Sequence, residues 1–146
     1  MKRGRGWLCL PPMLAGLVDL AVTLLGQPAA YWEGNLGAAR EGAPHGMWLF
    51  HQHYLAFPLA FAGWIAIYCA AILLLPRGLA RLTAVAVTIG HASAGNSWLS
   101  YHAGYWATIV ADIVYGAVTV LALEKERRRL GDPPLPASLS ARRNGL

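Results

Sequence analysis

Charge is the scarcest property of this chain: only 13% of its 146 residues are Asp, Glu, Lys or Arg, against about 25% in typical soluble domains. With 56% hydrophobic residues, that scarcity excludes an ordinary soluble fold. Cysteine is scarce as well. Cys9 and Cys69 lie in apolar segments and make no CxxC motif, so they read as small packing residues. Nucleophile elbow, phosphate-cradling glycine loop and dinucleotide fingerprint are all missing, and with them the usual motifs of soluble catalysis. No internal repeat is evident.

What the chain does have is apolar length. The stretches Trp7 to Gly26, Tyr54 to Leu75, Leu82 to Ser100 and Tyr105 to Leu123 are each long enough for a hydrocarbon core, which takes about 20 helical residues. Basic residues fall between them in a pattern. Lys2, Arg3 and Arg5 precede the first stretch, Arg77 and Arg81 separate the second from the third, and Lys125, Arg127, Arg128, Arg129, Arg142 and Arg143 follow the fourth. Four spans with both termini in the cytoplasm put all of these inside and leave only Arg40 outside, as the positive-inside rule requires. The net charge of +5 is therefore a topology signal, with some attraction to anionic lipid heads at "EKERRR", and no nucleic-acid footprint. Tyr31, Trp32, Trp48, Tyr54, Trp98, Tyr101, Tyr105 and Trp106 gather at the outer ends, where amphipathic rings prefer to sit.

The expected fold is thus an all-α membrane protein: a four-transmembrane-helix bundle over residues 1–130, with a long outer loop, Gln27 to His53, folding partly over its mouth. It is placed in the inner cell membrane as a multi-pass protein. Residues 131–146, rich in Pro, Ser, Gly and Arg, read as a disordered cytoplasmic tail. The N-terminus also admits reading as a cleaved signal peptide, although Asp19 sits badly in an apolar h-region.

In lipid each span must satisfy its backbone internally, so each reads as a helix whose face-sharing residues recur at steps of three and four. The first span carries Gly16, Asp19 and Thr23; the third Thr88, His91, Gly95, Trp98 and His102; the fourth Thr108, Asp112, Tyr115 and Thr119. Ionisable groups at membrane depth are costly and normally face the bundle interior. A polar pocket of Asp19, Thr23, His91, Asn96, Asp112 and Tyr115 is expected, opening outward, with Glu41 and His45 at its mouth. The plainer reading makes these residues interhelical glue. Along the second span, Phe50, Tyr54, Phe57, Phe61, Trp64 and Tyr68 form an aromatic ridge, for packing or for a quinone, carotenoid or lipid tail.

"GAPHGMWLFHQHYLAFP" packs His45, His51 and His53 together. Pro44 suits a first helical turn, and Pro58 is expected to kink the same helix. His51 and His53 point about 200° apart on a helix, which disfavours a local metal pair. A site assembled across helices from His53, His91 and His102, with Glu41, would suit a metal or a haem.

The segment "LVDLAVTLLGQPAAYWEGNLGAAREGAP", Leu17 to Pro44, resembles the opening of a group of small prokaryotic multi-span membrane proteins of unknown function. Those have an Asp four residues before a Thr in the first span, matched by Asp19 and Thr23, and a Glu-x-Asn-Pro turn before the second, matched by Glu41 and Pro44. Ala43 stands where that group has Asn. The resemblance implies that Asp19 and Glu41 share one outward-facing polar region, and it implies no activity.

The function expected is that of a non-enzymatic accessory subunit or a binder of a small ligand or lipid, with no cofactor. Its partners are the lipid bilayer and protein subunits or further copies of the chain. The alternatives are a His-ligated metal or haem redox protein, and a membrane-embedded enzyme or proton-coupled carrier using Asp and His as acid and base.

Overall fold

A computed structural model describes residues 5–131 and is helical almost throughout, with no strand among the described residues. A 3-10 turn, Arg5–Cys9, runs into α1, Leu10–Leu25, whose prolines Pro11 and Pro12 lie in the first turn, where no backbone donor is lost. Then follow α2, Ala29–Trp32, a second 3-10 turn, Leu36–Ala38, and α3, Pro44–Gln52. Three long helices complete the described residues: α4, Ala56–Leu74, α5, Arg77–Ala103, and α6, Tyr105–Arg129.

Three segments are long and apolar enough to cross a membrane: Arg5–Leu25, Ala56–Leu74 and Tyr105–Arg129. The stretch expected as the third span lies inside α5, which is the longest helix at 27 residues but does not reach that apolar composition. Its sequence "TIGHASAGNSW" explains this, since α5 spends its residues on close packing. It touches α1, α4 and α6, and its buried face is Ala80, Ala84, Thr88, Ala92 and Gly95. At Gly95 the helices nearly touch: a Cβ there would lie 3.0 Å from the Asp19 Cα. Around this centre the other helices turn apolar side chains outward, among them Leu59, Ile67, Leu74, Ile113 and Leu121.

The end of the bundle that holds the Arg5–Cys9 turn is pinned by charge. Arg5, expected only as a cytoplasmic flank, is buried and donates to the carbonyls of Leu73 at 3.3 Å and Leu75 at 2.6 Å, capping the end of α4. Glu126 is wholly buried and accepts from Arg77 Nε at 3.1 Å and Arg81 Nε at 3.0 Å, which ties the start of α5 to the end of α6. Cys9 and Cys69 pack with Leu8, Tyr68, Ile72, Ala80 and Ala84.

At the opposite end α5 meets α6 through one residue, Gly104, at φ 84 and ψ 173, a conformation that only glycine adopts without strain. The segment from Gln27 to His53 has a core of its own, in which Tyr31, Ala39 and Phe50 are buried against Leu24, Leu36, Met47 and Phe57. The Gln27 side chain latches it, accepting from Arg40 N at 2.8 Å and donating to Arg40 O at 2.7 Å. The kink expected at Pro58 is elsewhere. The chain breaks at His53, which is fully extended, and Pro58 sits in the first turn of α4, where its missing N–H disturbs nothing. The tail expected over 131–146 lies, apart from Gly131, outside the described residues.

Candidate functional site

The polar stripe of α1 is the face it buries: Gly16, Asp19 and Thr23 are all enclosed. Across the α1–α5 contact, His91 Nδ1 stands 2.8 Å from Asp19 Oδ2, and both side chains are largely buried. The approach is close because Gly95 and Gly16 leave room, the latter for the Tyr68 hydroxyl and the edge of His91. That hydroxyl donates to Pro12 O at 3.2 Å, so Tyr68 bridges α4 to α1 beneath the pair.

The aromatic ridge of α4 leads to the same imidazole. Phe50 stacks on Phe57 at 4.2 Å, Phe57 meets Phe61 at 5.8 Å, and Phe61 and Tyr68 lie 5.1 Å and 5.9 Å from the His91 ring. Tyr54 leaves the ridge and packs on His53 instead, because the break at His53 turns it away.

Between α4 and α5 these residues enclose a cleft of about 870 Å³. Asp19, Thr23 and His91 lie along its polar side; Phe57, Phe61, Trp64, Val87 and Trp98 make apolar walls; Glu41 and His45 reach it from the outer segment. Glu41 is held by the Ala43 N–H, which donates to its Oε1 at 2.9 Å. Pro44 starts α3 and places His45 in its first turn, as expected. Gly46 is required at this rim, since a Cβ there would overlap the Glu41 side chain.

Three residues expected in the pocket lie elsewhere. Asp112 is exposed on α6 and accepts from Asn96 Nδ2 at 2.8 Å, so both belong to the α5–α6 seam and not to the cleft. Asp112 sits on the flank of a face whose centre is Thr108, Tyr115 and Ala122. Tyr115 is buried, but packs with Ala15 and Ala92 and their neighbours Leu14, Val18 and Ala111.

The three-histidine metal set is not assembled among the described residues either. Among the described residues no group of three His, Cys, Asp or Glu side chains could hold a metal. His53 Nδ1 accepts from Leu55 N at 3.1 Å at the helix break, His91 is engaged by Asp19, and His102 stacks on Trp98 with centroids 5.8 Å apart. Trp98 and His102 in turn cover Gly26, where a Cβ would collide with the indole.

Sequence reasoning missed Gln27, Arg5 and Glu126. Glu126 had a readable signal, for it continues the buried series Thr108, Tyr115, Ala122 by four more residues. In the outer segment, burial raises the Tyr31 phenol above its ordinary value, and its hydroxyl has no hydrogen-bond partner among the described residues. The chain matches no protein-family model, no curated protein and no solved structure.

Proposed function

We propose that this is a four-span membrane protein, with α5 as the remaining span and both termini cytoplasmic, that binds an amphipathic small molecule or lipid in the cleft between α4 and α5. The observation that carries the reading is the Asp19–His91 contact on the side of a large, aromatic-walled cleft. Polar groups at membrane depth are costly, and a mostly apolar concavity with a few convergent polar groups is the usual form of a small-molecule site. Its volume of about 870 Å³ is at the upper end of the roughly 300–1,000 Å³ range of such sites. The resemblance over Leu17 to Pro44 fits this reading, since Asp19 and Glu41 both border the cleft.

Native mass spectrometry of protein extracted in mild detergent tests it. The expected result is a co-purified amphiphile on the wild type that is lost in Ala94→Trp, which fills the cleft from α5. The same adducts on both proteins, or none on either, would count against it. Topology is tested with cysteines placed at His51 and Leu130 in a Cys9→Ala, Cys69→Ala background. Four spans expose position 51 outside and position 130 inside, whereas three spans would leave both outside.

The Asn96–Asp112 pair favours a protein neighbour in addition. A carboxylate facing lipid near the bilayer centre costs about 2.5–3.5 kcal/mol, which a second copy or another subunit over the α5–α6 seam would relieve.

A further inference from the structure

We infer that the ligand of this cleft is an organic cation, an amphiphile with an ammonium-like head and an apolar body. The inference rests on the reading of the cleft as a binding site and names the chemistry that the site selects.

Counted with neutral imidazoles, the charges that border the cleft are of one sign. Asp19 and Glu41 line it, together with His45 and His91, and no Lys or Arg does. Arg40, next to Glu41 in the chain, is exposed and is not part of the lining. No Lys or Arg pairs with either carboxylate, and the one basic partner is His91 on Asp19. Glu41 has the Ala43 N–H as its hydrogen-bond donor and forms no ion pair among the described residues. Asp19 is only 7% exposed, has His91 as its partner through Oδ2, and its Oδ1 accepts no hydrogen bond among the described residues. With one proton beyond neutral imidazole and carboxylate, the Asp19–His91 unit is neutral; without it the unit carries a single negative charge. With His45 neutral, the lining therefore presents net negative charge between low-dielectric walls, where a charge acts over a longer range than in water.

The walls favour the same class of ligand. Phe57, Phe61, Trp64 and Trp98 supply ring faces whose quadrupole attracts cations, Trp most strongly. An anionic head would meet two carboxylates with no cation to offset them. The volume exceeds a small head group, so the apolar body lies along Ala60, Val87 and Ala94.

Two probes of the same shape and opposite charge separate this inference from the cleft reading. Isothermal titration calorimetry of the full chain in neutral detergent, with Ala94→Trp as the blank, compares tetraphenylphosphonium with tetraphenylborate. The phosphonium is expected to bind saturably and at least about tenfold more tightly than the borate, an effect of the size one nearby carboxylate exerts in a partly screened site. Glu41→Gln, at the rim where folding is not at stake, is expected to bring the two ions within about threefold of each other. Equal binding, or a preference for the borate, would overturn the charge selection and leave the cleft as a binding site. Failure of both ions to bind above the blank would overturn the cleft reading itself. Full preference retained in Glu41→Gln and in Asp19→Asn alike, with helicity by circular dichroism unchanged, would also overturn the assignment of selectivity to this lining.

Discussion

Glu126→Gln is the most informative single change for the fold. Glu126 is fully buried, and Arg77 and Arg81 close on its carboxylate with side chains about one-third exposed. The substitution keeps the volume and one acceptor oxygen but removes the charge that holds both guanidinium groups. Breaking a fully buried pair costs about 3–5 kcal/mol and an exposed pair about 0–1 kcal/mol. Since the carboxylate is dry and its partners reach water, the cost lies between, at about 2–3 kcal/mol. For a chain of this size each kcal/mol moves the midpoint by about 2–4 °C, so the melting temperature should fall by about 4–12 °C. Glu124→Gln is the matched control. Glu124 pairs with Arg127 and Arg128 within one helix, Arg128 being well exposed, and its loss should leave the midpoint almost unchanged. Thermal unfolding followed by circular dichroism in one detergent compares the two. A Glu126→Gln midpoint no lower than that of Glu124→Gln would refute the clamp, because it would mean that the arginines lose nothing with the carboxylate.

Four further outcomes follow from the geometry. Gly95→Ala should destabilise by about 1–3 kcal/mol, because its Cβ would press on the Asp19 backbone, whereas Gly63→Ala, with open space, should not; melting midpoints decide. Asp19→Asn and His91→Gln should be non-additive, with a coupling of about 0.5–3 kcal/mol in a double-mutant cycle, and additivity would deny the contact. Gly104→Ala should cost about 1–3 kcal/mol through backbone strain at φ 84, and an unchanged midpoint would refute it. Tyr31→Phe should be neutral or stabilising by up to about 1–2 kcal/mol, since it removes a buried hydroxyl without a partner; a clear loss of stability would show that the hydroxyl is satisfied.

Steps of three and four made the buried face of α1 legible, because Gly16, Asp19 and Thr23 repeat closely enough to leave one face for them. The same reasoning put Asp112 inside and was wrong there. Periodicity marks a face about 100° wide, and a residue on its flank turns into a helix seam or into the core according to where the neighbouring helix lies. The encounter of Asp19 with His91 could be expected because ionisable groups at membrane depth seek partners, but not its closeness, which depends on Gly95 and Gly16. The helix start at Pro44 was legible, and Glu41 and His45 beside it both line the cleft. The break at His53 was hidden, since Pro58 offered a more conventional disruption while an extended histidine carries no compositional mark. "EKERRR" read as a basic flank drawn to lipid heads because charge alone does not reveal that Glu126 is buried while Lys125 is exposed.

The single-residue joint at Gly104 bears on how the protein is made. On the four-span reading α5 is the segment least able to enter a bilayer unaided, because glycine, serine, histidine and asparagine occupy positions that a self-inserting helix fills with leucine. A joint this short folds α5 back along α6, so the pair behaves as a hairpin whose apolar arm carries in the polar one. Arg77 and Arg81 emerge early in synthesis, but their carboxylate lies near the end of α6, so the closing bond of the hairpin forms only once almost all of the described chain exists. A ribosome-bound chain ending before Glu126 would hold every piece of the cleft yet lack the tie that keeps α5 in place.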